Sequence, residues 1–214
     1  MKNEKQAIID LTHLMNAKEK FAFLNISKYS IVSLNKKNEN SFPPMFSKAI
    51  LKSISLDHPR IMRSFSSGLV DEVENDKHTR IGLTKSNRDY SSNLFEHYFL
   101  NQKDVFDTFT QFYIKDTPTL VVSFHDKKTV YKTLNAKVNV ITVPYNNHYE
   151  KLDDVFAQVA EFDGGVDYCL MDCSSLGLAL SGKIWEKLNM SVIDLGKTIN
   201  FTKNYNTPIK NANV

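Results

Sequence analysis

Apolar positions recur at helical spacing early in the chain and in short unbroken runs later. Ala7, Ile8, Leu11, Leu14 and Met15 fall on one face of a helix over residues 4–19. Phe21–Leu34 reads as extended structure, with Phe23, Ile26, Ile31, Val32 and Leu34 and no helix former at its centre. After a polar loop, Lys36–Ser41, the pair Pro43-Pro44 opens a helix with Phe46, Ile50 and Ile54 on one face. Ile61–Glu74 fits neither period, Arg80–Leu83 fits a short strand, and Asn93–Asn101 fits a helix.

From Thr119 the pattern sharpens. Thr119–Phe124, Val138–Val143, Val166–Met171 and Ser191–Leu195 are continuous apolar runs. Between them lie helices at Lys127–Leu134, at Leu152–Phe162, where Leu152, Val155, Phe156, Val159 and Phe162 share a face, and at Leu178–Leu188. Asp163-Gly164-Gly165 stops the second of these. Apolar strands alternating with helices of about three turns are what a parallel sheet covered on both faces requires. The expected fold is therefore an α/β open, mostly parallel sheet forming one domain over residues 1–200, with a loose tail at 201–214.

Composition adds limits. The chain has 214 residues, 42% hydrophobic and 24% charged, which excludes disorder and collagen. The opening Met-Lys-Asn-Glu-Lys-Gln lacks a secretory pattern and no run approaches 18 apolar residues, so a cytoplasmic protein without a membrane span is expected. Cys169 and Cys173 are spaced C-x-x-x-C with no matching Cys/His pair, and read as reduced, partly buried thiols rather than metal ligands. The net charge is only +3, but residues 18–63 hold nine Lys/Arg against three acids, while residues 161–214 hold five against six. The chain's 23 Lys, 4 Arg and 20 Asn fit an AT-rich genome, such as that of a low-GC bacterium or its phage.

In a parallel sheet of this kind, ligands bind beyond the carboxyl ends of the strands. Three loops there draw interest. Asp172-Cys173-Ser174-Ser175-Leu176-Gly177 places small hydroxyl residues and a glycine before a helix. That suits close approach to a phosphate, and equally suits a helix cap at Ser174 or Ser175 with Gly177 relieving crowding. Asp194-Leu195-Gly196-Lys197 offers an acid for sugar hydroxyls, a glycine for backbone approach and an ammonium for phosphate, or else a solvated turn. Pro144–Tyr149 gathers amides and rings around Asn147, which also reads as a helix cap. No P-loop, dinucleotide fingerprint or nucleophile elbow occurs. The six histidines show no ligand spacing, and each reads as a surface or satisfied core residue. The acids Asp71, Glu72, Glu74 and Asp76 form a cluster that reads as a solvated loop.

As one unit, Asp167–Lys197 resembles the small bacterial glycosyltransferases of the GT-D fold. The match is carried by Ser174, Ser175, Gly177, Gly182, Ile193, Asp194, Gly196 and Lys197. Pro144, Asn147 and Tyr149 are similar to that family's Pro-x-x-Asn-aromatic loop, and Arg80–Leu83 to its short strand. The resemblance implies a Rossmann-like sheet whose residues 80–200 hold a nucleoside-diphosphate sugar, with residues 1–79 toward the acceptor. It also implies donor contacts from Asn147, Ser174, Ser175, Gly177, Asp194, Gly196 and Lys197. The family's Arg-x-Gly-Asp-Gly-Glu segment, whose acids are associated with a divalent metal, is matched here by Asn25-Ile26-Ser27-Lys28-Tyr29-Ser30, without either acid. The expectation is a metal-independent site with no cofactor beyond the donor, in which Lys28 balances diphosphate charge. Asp172 and Asp194 are the candidate bases. Hydroxymethylated bases of phage DNA, suggested by the basic 18–63 segment, and a surface glycan or glycoprotein are the candidate acceptors. A non-catalytic nucleotide-binding protein is the alternative.

Overall fold

A computed structural model describes residues 4–34, 42–65, 89–90, 103–196 and 198–199. Helix α1 (Glu4–Asn16) leads to β1 (Ala22–Ile26), a single-turn α2 (Lys28–Val32), α3 (Pro44–Ile54), β2 (Ile61–Phe65) and the short β3 (Asp89–Tyr90). Then follow α4 (Lys103–Phe109, continued by a π-helical turn Thr110–Ile114), β4 (Thr119–Ser123), α5 (Lys127–Leu134) and β5 (Asn139–Thr142). A 3₁₀ turn (His148–Lys151), α6 (Leu152–Ala160), β6 (Tyr168–Asp172), α7 (Ser175–Lys187) and β7 (Ser191–Asp194) complete the chain.

The seven strands form one sheet in the order β3-β2-β1-β7-β6-β4-β5. Every pairing is parallel. Strands buried on both faces must be apolar on both, which is why their sequences read as runs rather than alternations. On one face Ile50 and Ile54 of α3, Val155 and Val159 of α6 and Leu180 and Ile184 of α7 pack over Leu24, Val122, Met171 and Val192. The other face is covered by Ala7 and Leu11 of α1, Phe106 and Phe109 of α4 and Val130 and Leu134 of α5.

Two elements depart from the expectation. The extended stretch breaks after Ile26, because Ser27 accepts a hydrogen bond from Ser30 N at 3.1 Å and caps α2, so Ile31 and Val32 lie in a helix despite their β-branching. Helix α7 begins at Ser175 instead of Leu178, and takes Gly177 into its first turn. A Cβ on Gly177 would lie 2.9 Å from Met171 Cβ and 3.3 Å from Asp194 Oδ1, so helix and sheet approach there only through a glycine. Arg80–Leu83, Asn93–Asn101, the acidic cluster and the tail lie outside the described residues.

The basic 18–63 segment is divided by the fold. Arg63 is buried, donating to both Asp89 carboxylate oxygens at 2.7 and 3.1 Å and to Ile54 O at 2.9 Å. It ties edge strand β3 to β2 and to the end of α3. Lys20 donates to Trp185 O, Lys52 pairs with Glu186, and Arg60 pairs with Glu19. Lys20 and Arg60 stand at the amino edge of the sheet, whereas Lys28 opens α2 at the carboxyl edge. Of the segment's aromatic residues, Phe21, Phe23, Phe42 and Phe46 are core, and Tyr29 is exposed.

Candidate active site

Connections leave the sheet in opposite directions at neighbouring strands. From β4 the chain passes through α5 on one face to β5; from β6 it passes through α7 on the other face to β7. A crevice opens at the carboxyl ends of strands where crossovers diverge in this way. The loops after β1, β4, β5, β6 and β7 surround it.

The turn after β6 is sharp. Ser174 adopts φ 54° and ψ −133°, a conformation that a side chain strains, and its hydroxyl makes no helix-capping hydrogen bond. The turn is held from outside: Ser174 N donates to Gly196 O at 3.3 Å. Gly196 itself has φ 69°, the left-handed region in which glycine carries no Cβ penalty. The two small-residue loops singled out in the sequence thus clamp each other.

Ser175 does not cap the helix either. Its Oγ lies 3.0 Å from Ser30 Oγ, which lies 2.9 Å from Ser27 Oγ. This hydroxyl chain joins the start of α7 to the start of α2, although 145 residues separate Ser30 from Ser175. Asn25, one residue before the end of β1, has its Oδ1 buried with no hydrogen-bond partner among the described residues.

The two candidate acids are not brought together. Met171 and Asp194 are register partners in β6 and β7, so Asp194 shares the face of Met171 and Asp172 points to the opposite one. Asp172 accepts from Ser123 Oγ at 2.8 Å and from Ile199 N at 3.0 Å, pinning the segment after β7 across the end of β6. Asp194 accepts from Gly196 N at 2.9 Å and shapes the glycine turn. Both residues are 1% exposed. Cys169 and Cys173 are free and buried, and burial pushes both thiols up. For Cys173 the neighbouring Asp194 and Asp172 push in the same direction, so it is an inert thiol.

Asn147 immediately precedes the 3₁₀ turn with φ 54° and makes no side-chain cap; asparagine is one of the few residues that tolerates this backbone. The histidine after it departs from the expectation of a satisfied or surface ring. His148 Nδ1 lies 2.9 Å from Tyr145 O, while its Nε2 is buried with no hydrogen-bond partner among the described residues. Composition and spacing carried no signal for this; only the packing of Phe124 and Phe46 against the ring, at 5.3 and 6.4 Å, reveals it. Lys197 lies outside the described residues, and of Lys28 only the backbone position is described.

Among the described residues no group of three His, Cys, Asp or Glu side chains is placed to hold a metal ion. The segment that corresponds to the family's acidic pair presents Ser27 and Ser30, neutral hydroxyls already hydrogen-bonded to each other and to Ser175. Such a donor set does not fit a divalent cation, which is held by carboxylates. Among the described residues no helix is long and apolar enough to cross a membrane.

No family model and no curated protein matches the sequence. Solved structures do match. A new glycosyltransferase of domain family DUF1792 from Streptococcus sanguinis is similar over 96% of this chain and 84% of its own, with TM-score 0.73 and 13% identity. A domain of unknown function 1792, described as having a distinct glycosyltransferase fold, is similar over 96% of this chain and 81% of its own, with TM-score 0.69 and 10% identity. At these identities the likeness is one of fold, and the chain therefore has the α/β glycosyltransferase fold of the DUF1792 structures, the fold that the GT-D resemblance implied.

Proposed function

We propose that the protein transfers a sugar from a nucleoside diphosphate to an acceptor hydroxyl. The observation that carries this reading is the hydroxyl chain Ser27–Ser30–Ser175 beside the Ser174–Gly196 clamp, at the carboxyl edge of a sheet whose solved neighbours include a protein described as a glycosyltransferase. Ser174, Ser175 and Gly196 line the approach to the diphosphate and Asn147 stands across the crevice, while Gly177 serves by letting α7 sit close to β6. Lys28 and Lys197 supply the positive charge that a departing diphosphate needs, in place of a divalent ion. Asp172 and Asp194 act as positioning residues, since both carboxylates already accept backbone N–H groups.

A glycan or glycoprotein acceptor suits the site better than DNA. Arg63 is buried against Asp89, Lys20 donates to Trp185 O, and the exposed Lys52 and Arg60 are paired with Glu186 and Glu19, so these four leave little positive charge for phosphates.

The test is turnover of a panel of nucleotide sugars, with EDTA and with added manganese. The expected result is hydrolysis or transfer of one donor at equal rates in both conditions. No turnover of any donor, with binding retained, would establish the nucleotide-binding alternative; activity only with manganese would refute the role given to Lys28.

A further inference from the structure

Transfer by direct displacement needs a base for the acceptor hydroxyl, and the two acids at the strand ends are occupied. Resting on the glycosyl-transfer reading above, we propose that His148 is that base. Because the Tyr145 oxygen is a carbonyl and can only accept, the Nδ1 of His148 carries the proton. The neutral ring then presents an unprotonated Nε2, the arrangement by which a backbone carbonyl fixes the tautomer of a working histidine. That Nε2 is buried and has no partner among the described residues, so this nitrogen has given up water without gaining a bond there. An acceptor hydroxyl would supply it.

The position is right for the reaction. His148 packs on Phe124, which follows β4 directly, and Ser123 of β4 is the register partner of Asp172 in β6. Phe124 therefore stands one strand, about 4.8 Å, from the turn that leads into Ser174 and Ser175. On the other side a row of rings links His148 through Phe46 and Phe42 to Tyr29, which follows Lys28 and precedes Ser30. The ring lies at the carboxyl-edge crevice and on the face of α7. Its ring neighbours are Phe46 from α3, Phe124 from the end of β4 and Tyr149 from its own turn, none of them carrying a charge. Glu150 and Lys151 follow in the same turn. Tyr145, 62% exposed and with its ring 5.0 Å from that of Phe124, marks the solvent side of this ring cluster.

The step balances simply. The acceptor O–H proton passes to Nε2 as the oxygen attacks the anomeric carbon. The bond from that carbon to the diphosphate oxygen breaks, and its electron pair leaves with the nucleoside diphosphate. The imidazolium then returns its proton to water.

The test compares two nucleophiles on the donor found in the panel above: an alcohol or water, which must lose a proton, and azide, which need not. His148→Phe keeps an aromatic ring in the packing and removes the base. It is expected to slow transfer to the alcohol by about 10²- to 10⁴-fold and to leave glycosyl azide formation within about threefold of the native rate. Equal loss with both nucleophiles, or loss with neither, overturns the proposal. His148→Gln, with melting curves for both variants, separates chemistry from folding. A second readout is independent of activity: imidazole ¹⁵N shifts must show the Nδ1–H tautomer, and an Nε2–H tautomer overturns the proposal as well. If the native protein turns over no donor but shows the Nδ1–H tautomer, it is the glycosyl-transfer reading that has failed.

Discussion

The two edges of the sheet are built from different chemistry. At the amino edge the end of α1, the π-helical turn and the starts of β6 and β7 enclose a cavity of about 550 Å³ whose lining includes Lys18, Glu19, Lys20, Asp116 and Asp167. Its charges are met in part by the protein itself: Glu19 pairs with Arg60, and Lys20 donates to Trp185 O. At the carboxyl edge the described groups are mostly neutral hydroxyls, an amide and an imidazole, and the buried acids are consumed by backbone N–H groups. Cavity size does not choose between the edges, since a second cavity of about 560 Å³ lies against α3, α6 and α7, with Pro43, Phe46, Tyr149 and Leu152 in its lining. Charge logic directs attention to the carboxyl edge, where uncharged donors and a strained turn leave the negative charge for a substrate to bring.

The contrast can be broken by substitution. The largest effect is expected at Gly177, where the carboxyl edge depends on close packing. Gly177→Ala drives a Cβ to within 2.9 Å of Met171 Cβ, and should lower the stability measured by urea unfolding by about 1–3 kcal/mol. It should reduce donor affinity as well, because the start of α7 must shift. An unchanged urea midpoint would mean that helix and sheet are not in the contact described.

Ser174→Gly should act in the opposite direction. Relief of the φ 54° turn should raise stability by about 1 kcal/mol, the strain removed less the entropy of an added glycine. Removal of the hydroxyl from the donor approach should at the same time lower kcat/KM. A loss of both stability and activity would show Ser174 to be a structural residue only.

The smallest effect belongs to the amino edge. Arg60→Ala removes an ion pair at 2.9 Å whose two side chains are 41% and 50% exposed, and screened surface pairs of this kind contribute at most about 0.5 kcal/mol. Neither the melting temperature nor the turnover of any donor should change measurably. A loss of activity would place chemistry at the wrong edge of the sheet.

The legible part of the sequence was the second half. TLVVSF and SVIDL became β4 and β7 because strands buried on both faces leave no room for polar alternation, whereas VNVITV became β5 at the end of the sheet, with Asn139 and Thr142 exposed. The stretch after Phe21 was misread because its β-branched Ile31 and Val32 outweighed the Ser27 cap that starts α2. At the site, Ser174, Ser175 and Gly196 were found as small residues in strand-end loops, and the fold does gather them. Of the two readings the sequence allowed for Gly177, relief of crowding has a contact behind it: its missing Cβ accommodates Met171. His148 was passed over because a lone histidine carries no spacing to read.

The sequence by itself determined the alternation of apolar runs and amphipathic helices, and with it a parallel sheet. Only the tertiary structure decided which side chains meet. It sent Asp172 and Asp194 to opposite faces through a one-residue offset in register, joined Ser30 to Ser175 across 145 residues, and left the Nε2 of His148 without a partner among the described residues. Periodicity reports the face on which each residue lies within its own element, whereas hydrogen-bond satisfaction depends on neighbours that the chain supplies from far away.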